Sequence, residues 1–324
     1  MQRNVSAAKV SVLSILTGSL LFIACGGSDK EDDDIPANVD AGIVVSDAGT
    51  AENDASAAEN DAGMIEDDAG TGEVPPEYIR IPTGEFTLSH NTTSHSAGDT
   101  FTFDYVFLLK KTPVTVAEFE KCVAAGACTS NHYRTTSDEE YCNYNRGKAW
   151  KNHPMNCIDW YGAQQYCIWI GGKLPTEEAW EYASTHNGTE HLYTTYPWGD
   201  DAPTYCVTAQ YWEPTAEESY CQGNAAAPMP DNDIDDYEGT SDVSLHSPAG
   251  DSPLGLVDMS GNVGEWTNSP FVPSGSSSAS SSFIIKGGSW SDRLFRLAVT
   301  SRYRDERENW HRSYGFRCMV SKEK

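Results

Sequence analysis

The stretch Gly255-Leu-Val-Asp-Met-Ser-Gly-Asn-Val-Gly-Glu-Trp266 restricts this chain more than any other. Gly255, Gly261 and Gly264 interrupt it too often for a helix or a regular strand. Asp258, Asn262 and Glu265 place side-chain oxygens among the glycines. Glycine lets backbone carbonyls turn inward, so the stretch reads as a loop that holds a hard cation through oxygen, or as a tight turn beside a buried Trp266. Either reading calls for a domain built on irregular backbone. Lys286-Gly-Gly-Ser-Trp290 repeats the theme further along.

Irregular backbone needs covalent support, and cysteines supply it. Cys25 stands apart at the end of an apolar run. The other eight are Cys122, Cys128, Cys142, Cys157, Cys167, Cys206, Cys221 and Cys318. An even number in an exported chain points to a disulfide set, with about 105 pairings open on numbers alone. No C-x2-C pair marks a zinc site.

Export is read from the N-terminus. Arg3 and Lys9 accompany the apolar run 10–24, which is too short to span a membrane comfortably. It ends Leu21-Phe-Ile-Ala-Cys25-Gly-Gly, which resembles a bacterial lipobox. The expectation is a signal peptide over 1–24 and a lipid on Cys25 that anchors the protein to the membrane. Gly26 after it points to the outer membrane of the cell envelope. Residues 25–76 read as an acidic, disordered tether. Sixteen Asp or Glu face one Lys between Asp29 and Glu77, and Asp-Ala recurs every seven residues from Asp40 to Asp68. No apolar stripe accompanies that period, so ordering entropy goes unopposed. Much of the net charge of -26 sits there. No basic stripe offers a surface to nucleic acid.

The folded part is expected over 77–324. Residues 78–88 alternate around Pro82-Thr-Gly84 and predict a hairpin, and 101–109 is a second β-prone run. Thr115 and Glu118 form a capping box for a helix that Gly126 ends. Asp159 caps a second helix that Gly171-Gly172 closes, and Thr176 caps a third with glutamates in its first turn. Short strands are expected at 283–286 and 315–320. The fold class is α+β, loop-rich and disulfide-stabilised.

Together these segments resemble the formylglycine-generating enzyme, or sulfatase-modifying factor, family. The motifs fall in the family's order over 77–320. They include Asp159-Trp-Tyr-Gly-Ala-Gln-Gln-Tyr-Cys167, Gly172-Lys-Leu-Pro-Thr-Glu-Glu-Ala-Trp-Glu-Tyr-Ala183, Tyr196-Pro-Trp-Gly199, Gly255 to Trp266, Lys286 to Trp290, Ser301-Arg-Tyr-Arg304 and Gly315-Phe-Arg-Cys318. The resemblance implies an irregular fold related to C-type lectins. It implies two structural calcium ions, one at Asp258, Gly261, Val263 and Glu265, the other at Asn224, Ala225, Asp235 and Tyr237. It also implies a Cys167–Cys318 bridge. Cys206–Cys221 reads as a natural local pair, and the order among the remaining four cysteines stays open.

The same resemblance exposes a gap. The family's enzymatic members oxidise a substrate cysteine to formylglycine with two cysteines that bind copper(I), placed between Gly-Gly-Ser and Arg-Tyr-Arg. Residues 290–301 contain no cysteine, and Asp292 and Thr300 stand about where the pair should be. Gly264 replaces a tryptophan usual in the family. Copper is therefore not expected as a cofactor, because copper(I) needs soft thiolates. Relatives that use nonheme iron hold it with histidines on an added helical domain, of which nothing is visible here. Two readings remain. One is a binding or accessory module for a peptide or glycan, with Ser289, Trp290, Asp292 and the arginines from Arg293 to Arg312 as contacts. The other is an enzyme with altered chemistry in the same cleft, with Ser289 and Asp292 as its first candidates.

Overall fold

In chain order, the computed structural model describes residues 74–90, 95–212, 239–273 and 280–321. The expected signal peptide, Cys25 and almost all of the tether lie outside them, as do Asn224, Ala225, Asp235, Tyr237 and Cys221. Among the described residues no helix is long and apolar enough to cross a membrane.

Two small sheets open the domain. Strands β1 (Tyr78–Ile81), β2 (Gly84–Thr87), β3 (Thr100–Phe103) and β4 (Phe107–Lys110) do not pair in sequence order. β1 pairs antiparallel with β4, and β2 with β3. The hairpin expected over 78–88 is therefore absent. Every residue of β4 is buried, so its backbone N–H and C=O groups need partners on both edges. β1 fills one edge and the C-terminal strand β9 (Met319–Ser321) the other. That long-range demand outweighs the local turn at Pro82-Thr-Gly84.

The three helices start where their caps predict. In α1 (Val116–Ala124) the Thr115 side chain and Glu118 form a reciprocal capping box. In α2 (Trp160–Trp169) Asp159 accepts from the Gly162 N–H at 2.8 Å. In α3 (Glu177–Thr185) Thr176 accepts from the Ala179 N–H. Phe119 of α1 and Tyr166 of α2 meet Phe316 in one core cluster, and Trp180 and Tyr182 of α3 meet Phe86 and Phe103 in another.

The third sheet carries the site. Its order is β7–β6–β5–β8, with β5 (Gly264–Pro270), β6 (Ser282–Lys286), β7 (Arg302–Glu306) and β8 (Tyr314–Gly315). β5 runs antiparallel to β6 and parallel to β8. The end of the glycine-rich stretch is thus a strand, not a loop, because partners on both edges satisfy its backbone.

Disulfides join Cys122 to Cys128, Cys142 to Cys157 and Cys167 to Cys318, the last closing 151 residues between α2 and the turn before β9. Cys206 is also disulfide-bonded.

Candidate functional site

The glycine-rich stretch is held by two buried side chains. Asn262, fully buried, adopts a left-handed φ of 59°. Its amide donates to Asp258 at 3.0 Å and to the Ser241 carbonyl, and its oxygen accepts from the Ser241 N–H. Glu265 lies two strand positions before Thr267, and both its oxygens accept from Arg317 at 2.6–2.9 Å. Arg317 spends its remaining donors on the carbonyls of Lys110, Lys111 and Val257. The Trp180 indole donates to Glu265 at 2.7 Å. Both members of the ion pair are at most 1% exposed.

This arrangement bears on the cation expectation. A calcium ion needs carboxylate oxygens free to coordinate. Those of Glu265 already neutralise a guanidinium, and Asp258 accepts from an amide. Burial pushes the Asp258 carboxyl up to about 8, against the opposing pull of the Asn262 hydrogen bond and Arg317. As the side chains stand, Glu265 is shared with Arg317 and Oδ2 of Asp258 with Asn262. The arginine–glutamate pair stands beside the expectation of Asp258, Gly261, Val263 and Glu265 as ligands, and calcium at these four residues remains a proposal. The second expected set lies outside the described residues.

Beyond β6 the chain turns sharply through Gly287 and Gly288, both at positive φ. A Cβ on Gly288 would meet the Arg296 carbonyl at 2.8 Å, so the close crossing of these two segments requires glycine there. A cavity of about 320 Å³ opens beside this turn. Gly264, Ile285 and Gly288 line one part, and Asp292 with Ser291 another. Tyr303 and Asp305 reach it from alternate positions of β7, His311 and Ser313 from the segment leading into β8, and Tyr314 from β8 itself.

The cavity is polar and ordered. The Ser289 hydroxyl donates to Asp292 at 2.6 Å. Ser289 itself is 1% exposed and does not line the cavity. It positions Asp292 rather than presenting a free hydroxyl. Asp305 accepts from the Tyr314 hydroxyl at 3.2 Å and from Asn309 at 2.8 Å. Nδ1 of His311 lies 2.6 Å from the Ser313 hydroxyl, and the Ser313 N–H points at the same nitrogen. With Nδ1 as acceptor, the ring proton belongs on Nε2. Burial lowers the His311 pKa, helped by Arg312 and opposed by Asp292 and Asp305, so the ring is neutral at pH 7.

The arginines expected as contacts mostly rest on rings. Arg304 lies 3.6 Å from the Phe271 centroid, Arg293 4.7 Å from Trp212 and Arg312 4.7 Å from Tyr141. Arg296 lies over Phe295 and Tyr303. Arg302 instead grips Glu177 with two bonds of 2.6 and 2.8 Å. Trp290 is 3% exposed and therefore a packing residue, not a contact. Sequence reasoning missed Tyr303, Asp305, His311, Ser313 and Tyr314. Alternation along β7 is a usable signal for the first two, and nothing local marks the others.

A loop-rich α+β domain with a polar cavity beside a Gly-Gly-Ser turn defines the class of protein. Solved structures share the fold: PvdO from Pseudomonas aeruginosa (TM-score 0.52, 17% identity, 75% of this chain and 93% of that one) and CarF (TM-score 0.54, 15% identity, 77% and 99%). The chain belongs to the sulfatase-modifying factor enzyme 1-like domain family, which matches residues 65–322. It is 32% identical over 173 residues to the inactive C-alpha-formylglycine-generating enzyme 2 of Mus musculus, covering 52% of this chain and 49% of that protein. It is 30% identical over 187 residues to the formylglycine-generating enzyme of Thermomonospora curvata, covering 52% and 56%. The chain thus spans about half the length of these curated relatives.

Proposed function

We propose that this protein is an exported, lipid-anchored binding or accessory module that uses the family's domain without copper-dependent formylglycine formation. The lining of the cavity carries the reading. Its donors are carboxylate, hydroxyl and imidazole groups, and no cysteine is among them. Seven of the eight cysteines outside the lipobox are held in disulfides, and the eighth, Cys221, lies outside the described residues. Hard oxygen donors do not suit copper(I). Similarity to a relative named as an inactive formylglycine-generating enzyme supports the same reading. The open cavity favours a bound ligand over a purely structural domain, since neither Phe295 nor Trp310 fills it. A peptide or glycan is the expected ligand class, held at the surface of the cell envelope by the lipid on Cys25.

The test is direct. Purified protein, copper(I) and a peptide bearing a sulfatase cysteine motif are incubated with oxygen, and mass spectrometry follows the peptide. The expected result is an unchanged thiol, and an aldehyde product overturns the reading. Anchoring is tested separately: Cys25→Ser should move the protein from the membrane to the soluble fraction.

An enzyme with altered chemistry in the same cavity is the second reading, favoured by a neutral His311 beside Asp292. Ser289 is poorly placed as its nucleophile, because it is 1% exposed and does not line the cavity.

A further inference from the structure

The cavity differs from a generic polar pocket in one respect: it is built to hold a positive charge that the protein only partly supplies. We propose that it binds a protonated amine or guanidinium, of the size carried by a lysine or arginine side chain of a partner polypeptide. The inference rests on the reading of this domain as a binding module and names its ligand chemistry.

Three observations carry it. First, Asp292 is anchored at one oxygen only. Oδ2 accepts from buried Ser289 at 2.6 Å, and no partner is present for Oδ1 among the described residues. A carboxylate fixed at one oxygen and lining a cavity is a ready acceptor for an N–H of a cation. Second, Asp305 adds a second negative charge, held in place by Tyr314 and Asn309, while His311 is neutral and adds no opposing charge. Third, the rings of Tyr303 and Tyr314 line the same space, and aromatic faces attract cations. The protein demonstrates that preference itself, since the Arg296 guanidinium lies 5.1 Å from the Tyr303 centroid. Two aspartates against Arg296 leave the lining with a net negative charge.

Gly264 sets the room available. Its backbone does not need glycine, since its φ is not positive. A Cβ there would meet Ile285 at 3.0 Å and point among the groups that bound the cavity. The missing side chain keeps that space open. About 320 Å³ is near the lower end of small-ligand pockets and accommodates one extended side chain.

The experiment titrates the full chain with Nα-acetyl-lysine methylamide and Nα-acetyl-arginine methylamide, with Nα-acetyl-norleucine methylamide as the uncharged control. Binding is followed by ligand-observed NMR at low and high salt. Both charged compounds should bind, weaken with salt, and outcompete the control. Asp292→Asn should weaken them about tenfold or more, the share of a charged hydrogen bond. Ser301→Trp, a plug from the cavity wall that leaves Asp292 and Ser289 untouched, should abolish binding. Arg296→Ala should strengthen it by removing the competing cation. Equal binding of the norleucine compound, or binding that survives both Asp292→Asn and Ser301→Trp, overturns the proposal. So does saturable binding of a neutral oligosaccharide in the cavity with none of either amine, an outcome that leaves the binding-module reading standing. Aldehyde formation in the copper assay would instead remove that reading, whatever the amines do.

Discussion

Glu265 and Arg317 form a charged pair in the dry interior of the domain, and each depends on the other. A buried ion taken from water is costly unless its partner and its remaining hydrogen bonds are supplied. Arg317 has all of them: two carboxylate oxygens and three carbonyls from two separate segments. It therefore ties β4 and the Gly255–Trp266 stretch to β5. Removing one partner leaves the other charged and unpaired. Glu265→Gln is expected to lower unfolding free energy by about 3–5 kcal/mol, read from urea or thermal unfolding. Arg317→Lys should also destabilise, because an ammonium cannot make the two-pronged contact and reach three carbonyls. A near-neutral Glu265→Gln would show that the pair is not the support described.

Covalent and capping restraints act on whole elements. The Cys167–Cys318 bridge closes 151 residues, whereas Cys122–Cys128 closes six. In the chain-entropy account the long loop is worth about 5 kcal/mol and the short one about 2. Cys167→Ser with Cys318→Ser is thus expected to destabilise well beyond Cys122→Ser with Cys128→Ser, measured by unfolding midpoints of the two double variants. The capping box of α1 is a smaller, local effect: Thr115→Ala should cost about 1 kcal/mol. Capping signals were legible because Thr115, Asp159 and Thr176 act on backbone within three residues of themselves. The pairing of β1 with β4 was not, since its driving force is burial of Phe107 and Leu109, which no local pattern in 78–88 encodes.

Across the molecule, histidines held neutral contribute to pH sensitivity. His246, 2% exposed, is lowered by burial to about 4, and its Nε2 meets the Ser241 hydroxyl at 3.2 Å. His153, also lowered by burial to about 4, meets Thr240 at 2.9 Å. The two rings thus hold adjacent residues of one segment, and Ser241 in turn holds Asn262. Each ring binds fewer protons folded than unfolded between about pH 4 and the ordinary histidine value near 6.5. The stability each ring contributes is full above that window and falls as pH drops through it. Buried Asp258 acts in the opposite sense, so the comparison should be between the wild type and His246→Gln, in which Asp258 is common to both. The variant is expected to lose part of the acid sensitivity between pH 6.5 and 4 in matched unfolding series. Parallel curves would remove His246 as a source.

Sequence alone determined the family, the helix starts and the missing thiol pair, because each depends on residue types at short spacing or on a plain absence. Residues 290–301 contain no cysteine in any fold. The site was only half legible: Asp292 could be named from its place after Gly-Gly-Ser, but Ser289 could not be known to sit behind it. Tertiary structure alone decided what replaces the thiols and what holds the glycine-rich stretch. His311 and Asp305 reach the cavity only because β7 and β8 lie in one sheet with β5 and β6. The partner of Glu265 is 52 residues further on, too far for any local pattern to reveal. Stretches built on glycine carry little periodic signal. Their geometry is set by charges and hydrogen bonds from distant segments, and those meet only when the chain is folded.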